Sequence, residues 1–134
     1  MNIWSFLNSE LNIGSLLTGK CSQTEFENID ESFKNMVQTF NPEMVTAKTS
    51  AIIEYRIKRC GDWHVIIANK MCELKQGRSN KPDLCLTTDC KTWMAIAEGL
   101  ETGEAMYMNR KLCAKGDNNL LMQLSEFFAI KENM

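Results

Sequence analysis

The sequence predicts an α+β domain, and three observations carry that prediction. Ala51 to Arg59 alternates between apolar and charged residues, and two further short β-type runs follow it. Ile29, Phe33, Met36, Val37 and Phe40 ahead of these runs, and Leu120, Leu121, Leu124, Phe127 and Phe128 behind them, recur at helical spacing. Residues 82 to 128 as a whole read as strand, helix, short helix, strand, helix. At 134 residues, 44% hydrophobic and 24% charged, the chain can bury a real core as one domain without disulfides or metal.

Taken in order, Ile3, Trp4, Phe6, Leu7 and Leu11 suggest a short amphipathic helix, and Gly14 and Thr18-Gly19-Lys20 break it into a loop. Glu10 and Lys20 are its only charges up to residue 24, so it lacks the basic face that holds a helix on lipid headgroups. Packing onto the body of the domain, onto a second subunit or onto a protein partner through residues 1–25 is the expectation. The next helix has Asn28 or Asp30 as its expected N-cap and stops at Asn41-Pro42, because the residue before proline is pushed out of the α region.

From Ala51 the period changes to two. Ala51, Ile53, Tyr55 and Ile57 share one face and Glu54, Arg56 and Lys58 the other, as in a half-buried strand. Cys60-Gly61-Asp62 is the expected hairpin turn into a second strand, Trp63 to Ala68, and Asn69-Lys70 turns the chain into a third, Met71 to Lys75. His64, the single histidine, falls on the face opposite Trp63, Val65 and Ile67, which predicts a partly exposed structural side chain. Between Lys48 and Pro82 stand eight basic and three acidic residues, a surplus that suits either a solvated outer strand face or attraction of an anionic group.

A formal charge of −2 and a pI near 5.5 argue against nucleic acid as a partner. No window approaches the roughly 18 uncharged apolar residues of a membrane span, and the start lacks the basic and apolar regions of a signal peptide. A cytoplasmic protein without stable membrane insertion is expected. In that compartment Cys21, Cys60, Cys72, Cys85, Cys90 and Cys113 should be free and mostly buried thiols. There is no C-x-x-C pair, and a zinc site from Cys60, His64 or Cys72 would have to be assembled from scattered strands, so neither metal nor cofactor is expected.

No nucleophile elbow, P-loop, G-x-G-x-x-G or H-E-x-x-H occurs, and one histidine limits acid–base chemistry at neutral pH, so no catalytic residue is assigned. Trp93, Met94, Ile96, Ala97, Leu100, Met106, Tyr107 and Met108, with the apolar face from Leu120 to Phe128, would serve as ordinary core or as the wall of an apolar cavity. Nine methionines in the chain lean towards the cavity, because flexible thioethers suit a site that accepts greasy ligands of varied shape.

Several short motifs then line up in one order. Phe40-Asn41-Pro42 ends the first of these helices; Pro82-Asp83-Leu84 leads a strand towards Asp89 and Trp93; Gly99 is followed by Ala105-Met106-Tyr107-Met108; Lys111-Leu112 runs on to Gly116-Asp117; and Leu120 to Phe128 closes the set. From about Phe33 to Phe128 the chain resembles the sterol carrier protein type-2 lipid-binding domain. The resemblance implies a five-stranded, curved, mixed sheet covered by helices, with an apolar tunnel for a fatty acid, fatty acyl-CoA, sterol or other lipid. Carried over by position, Trp93, Ile96, Met106, Leu121, Leu124 and Phe128 would line it from the helices, and Ile67 and Leu86 would form its floor. Where the family has a turn glycine this chain has Arg110, so Asn109 is expected to take any left-handed position. Residues 1–28 have no counterpart and form an N-terminal extension to the domain at 29–134. Two functions follow from the resemblance: a non-catalytic lipid carrier, or an accessory module of a lipid-related pathway whose apolar face meets a partner or a second copy.

Overall fold

The computed structural model of the chain describes residues 20–128. Its first helix, α1 (Gln23–Gln38), starts earlier than Asn28 or Asp30: Ser22 is the N-cap, its hydroxyl accepting from the Glu25 N–H while the Glu25 carboxylate accepts from the Ser22 N–H, both at 3.1 Å. This capping box is legible as Ser22-Gln23-Thr24-Glu25, and residues 23–28, assigned above to the extension, are the first turns of the helix. The amphipathic helix expected before Lys20 lies outside the described residues. After α1 a 3₁₀ turn at Pro42–Met44 leads into the sheet.

Strands β1 (Ala51–Lys58), β2 (Gly61–Ala68), β3 (Met71–Gln76), β4 (Leu84–Asp89) and β5 (Leu112–Gly116) form one sheet in the order β3-β2-β1-β4-β5. The sheet is mixed as expected, because β1 runs parallel to β4 while every other neighbouring pair is antiparallel. Register pairs Tyr55 with Trp63 on one side and with Leu86 on the other, which puts three large apolar side chains in one row. The β1–β2 turn is Arg59-Cys60, one residue earlier than expected, with Gly61 already in β2 and Arg59 in the left-handed region at φ 65°. Asn69 and Lys70 both have positive φ, the twist that two-residue hairpins favour.

Helices α2 (Cys90–Ala97), α3 (Gly103–Met108) and α4 (Asn118–Phe127) follow, capped by Asp89, Thr102 and Asp117. Phe128 lies just past α4 in extended backbone and bridges to Phe40, so it is not the last helical residue that the periodicity suggested. Arg110, not Asn109, takes the left-handed turn before β5, at φ 63°. Gly116 is required where it stands: a Cβ there would meet the Asp83 carbonyl oxygen at 2.3 Å. One sheet face carries Ile53, Tyr55, Ile57, Trp63, Val65, Ile67, Leu84 and Leu86, all buried in the core with residues from the helices.

The outer face is less open than the alternation predicts, because the loop after β3 folds back over it. His64 is 8% exposed, where partial exposure was expected, and its Nδ1–H donates to the Gly77 carbonyl at 2.8 Å. The Glu54 side chain is fully buried and accepts from the Arg56 Nε at 2.6 Å, the Ser79 N–H at 2.8 Å and the Ser79 hydroxyl at 3.1 Å. Burial pushes its pKa up, but those three donors outweigh burial and hold the carboxyl below the usual glutamate value.

The cysteines depart from expectation in one pair. Cys21 and Cys60 form a disulfide closing a 39-residue separation, while Cys72, Cys85, Cys90 and Cys113 are free. The periodicity carried no sign of this, because the bond joins the segment before α1 to a hairpin turn. Thiol titration of the unfolded, unreduced chain should therefore count four groups, and six after reduction. Because the Glu54 pKa is depressed, its stabilisation is complete above the unfolded value, near pH 4.3, and is lost as pH falls through the lower folded value. Urea midpoints should show Glu54→Gln less stable at neutral pH and with a shallower acid slope than the parent below about pH 4.

Candidate functional site

Phe33 of α1 is the hub of an aromatic cluster. Its ring stacks on Trp93 with centroids 4.5 Å apart, on Trp63 at 5.0 Å, and packs at a tilt against Tyr55 at 5.1 Å. Both indoles donate into α1, Trp63 to Asp30 Oδ1 at 2.9 Å and Trp93 to Ser32 Oγ at 2.7 Å. An indole nitrogen can only donate, so each buried N–H needs such an acceptor. The helix and the sheet beneath it are thus pinned together at two points.

Beside this cluster, α1 and α2 leave a groove of about 510 Å³ between them. Its base is Met36, Trp93 and Ile96, all buried, with Met94 and Ala97 half-buried alongside; Asn28, Glu31, Asn35 and Glu98 are exposed along its rim. A volume of that size with an apolar base and polar edges is the form of a small-molecule site. Among the described residues the rim holds two carboxylates and no cation, a lining that suits an apolar chain better than an anion.

Of the eight residues assigned to the tunnel, Ile67, Leu86, Trp93, Ile96, Met106 and Phe128 lie in the buried core, and Leu121 and Leu124 are half-buried against it. Trp93 and Ile96 also line the groove; the other six do not. Sequence reasoning missed the wall that α1 contributes. Met36 belonged to the apolar stripe read as core, and Ser32 borders it, but nothing in the pattern said that α2 would lie opposite.

Thiol chemistry finds little support at Cys60 and Cys72. Cys60 is bonded to Cys21, and burial pushes the Cys72 thiol up to about 12, leaving it protonated and a poor nucleophile at neutral pH. Among the described residues, no three or more His, Cys, Asp or Glu side chains gather in a way that could hold a metal ion. No helix among them is long and apolar enough to cross a membrane.

Comparison with known proteins gives a consistent picture. The model of the SCP-2 sterol transfer family matches residues 33–129. Sterol carrier protein 2 like 2 of Aedes aegypti has a similar structure, with a TM-score of 0.61 and 24% identity over 78% of this chain and 96% of that one. The palmitated form of SCP2L2 from the same organism gives 0.60 at 26% identity, over 75% of this chain and 90% of that one. A double mutant of the sec-alkyl sulfatase PisA1 gives 0.65 at 12% identity; this chain covers 16% of its length, so the likeness there is one of fold in one part of a much larger protein. No curated protein matches by sequence.

The Trp93 anchor can be measured. Ser32→Ala leaves the indole N–H without its acceptor, and the chain should lose about 1–3 kcal/mol in urea unfolding.

Proposed function

Because the chain belongs to the SCP-2 sterol transfer family, we propose that it is a non-catalytic carrier holding one hydrophobic ligand, a fatty acid, fatty acyl-CoA, sterol or other lipid, between its helices and sheet. The observation that carries this reading is the groove between α1 and α2, whose apolar base is held in place by the Trp93–Ser32 hydrogen bond. The relative that is 26% identical is described with palmitate attached, which supports the ligand class. In this reading Trp93 and Ile96 receive the ligand first. Ile67, Leu86, Met106 and Phe128 form the apolar body behind them, and the half-buried Leu121 and Leu124 of α4 yield to admit a longer chain.

Burying about ten methylenes at roughly 0.8 kcal/mol each supplies on the order of 8 kcal/mol before ordering costs, enough to bind without a polar anchor. The rim adds selectivity. Glu31 and Glu98 disfavour a carboxylate nearby, so a neutral-headed lipid binds in preference to a fatty-acid anion.

Solvent extraction of gently purified protein should release one lipid per chain by mass spectrometry, and micromolar protein should bind a fluorescent fatty acid that other lipids displace. An empty extract together with no fluorescent binding would sink the carrier reading. Replacing Glu31 and Glu98 with Gln should tighten palmitate several-fold at neutral pH and leave methyl palmitate unchanged, as like-charge repulsion requires.

A further inference from the structure

A second concavity lies at the β1–β2 turn and owes nothing to the lipid groove. It is a bowl of about 620 Å³ whose lining includes Lys20, Arg56, Lys58, Arg59 and Arg78, with Asp62 as its one acidic residue. This is where the basic surplus between Lys48 and Pro82 becomes concentrated. The basic residues of that stretch outside the bowl, Lys48, Lys70, Lys75 and Lys81, are absent from its lining.

Two arginines of the bowl, Arg78 and Arg56, already hold one carboxylate each, Asp62 from the lining and Glu54 from beneath it. Asp62 takes the Arg78 Nε at 3.0 Å, and the buried Glu54 takes the Arg56 Nε at 2.6 Å. Each arginine is tied through Nε, which leaves both terminal nitrogens and their N–H donors for something else. Asp89 and Glu25, which the charge of Arg59 reaches, are used as capping groups of α2 and α1. Among the described residues, no carboxylate lies within ion-pair distance of Lys20, Lys58 or Arg59.

The cations are also held in place from both sides. The Cys21–Cys60 disulfide and the Cys21 N–H bond to the Arg59 carbonyl at 2.8 Å fix Lys20 beside the turn. On the other side the Gly77 N–H donates to the Asp62 carbonyl at 2.7 Å and places Arg78. Three of the five cations lack a direct ion pair among the described residues, and a ligand with several anionic oxygens offsets their repulsion while accepting charge-assisted bonds from planar guanidinium groups.

We propose that this bowl is a binding site for a small soluble molecule bearing a phosphate or diphosphate group. Its shallow, open form at a strand end admits a compact polyanion directly from solvent.

Isothermal titration of the oxidised full chain with inorganic pyrophosphate should show saturable one-to-one binding. Replacing Lys58 and Arg59 together with Gln should weaken it by about tenfold or more, the loss expected of charge-assisted hydrogen bonds. Replacing Lys48 and Lys70 with Gln, equal in charge but outside the bowl, should change it by less than about twofold. Near-UV circular dichroism checks that each variant is folded, and Lys20→Gln repeats the test from outside the sheet. No saturable binding, equal weakening by both pairs, or binding to phosphatidylglycerol vesicles without binding to pyrophosphate would each overturn the proposal. Lipid binding is read separately, so failure of one site leaves the other standing.

Discussion

The stacking of Phe33 between Trp93 and Trp63 is the contact on which the rest of the arrangement hangs. Each aromatic pair is worth about 0.5–1.5 kcal/mol beyond the area it buries, which alone would not fix a helix in one register. The indole N–H groups do that, because burying them unpaired costs more than the stacking returns. Asp30 and Ser32 satisfy them from α1, two residues apart on either side of the helix's buried stripe. Sliding α1 along the sheet would orphan both. The gap between α1 and α2 is a consequence of that register, and so is the shape of the groove.

The two faces of β1 divide the labour. Towards the helices it presents Ile53, Tyr55 and Ile57, and its pairing with β2 and β4 extends these into a continuous apolar surface. Away from them it presents Glu54, Arg56 and Lys58, which the loop after β3 partly covers. A period of two along one strand therefore sets an apolar core face on one side of the sheet and cations on the other. The separation keeps the lysines and arginines from drawing charge into the apolar side, where an unpaired ion would be costly.

A site of this kind gets its affinity from buried area and its discrimination from what the rim rejects. Nothing along the groove resembles a nucleophile held by a base, and its carboxylates, Glu31 and Glu98, are solvated rim residues. Carriage requires no more than this: an apolar base stiff enough to stay open and a boundary that sorts headgroups. Aromatic packing under Trp93 stiffens the base, and Glu31 and Glu98 stand on the rim.

The α+β class, the five strands and the order of elements from Pro82 to Phe128 were determined by the sequence itself, because alternation and helical spacing are local consequences of having one face in a core. The motifs that carried the family resemblance worked for the same reason, each being a turn, a cap or a short helix face whose chemistry is local. Even the true start of α1 was legible in Ser22 and Glu25. Tertiary structure decided what depends on distant segments meeting: the Cys21–Cys60 bond, the burial of His64 and Glu54 beneath the loop after β3, and the left-handed turn at Arg110. It also decided that Met36 and Ser32 of α1 would join Trp93 of α2 in lining one groove. Periodicity tells which side of an element is buried, and only the packed fold tells against what.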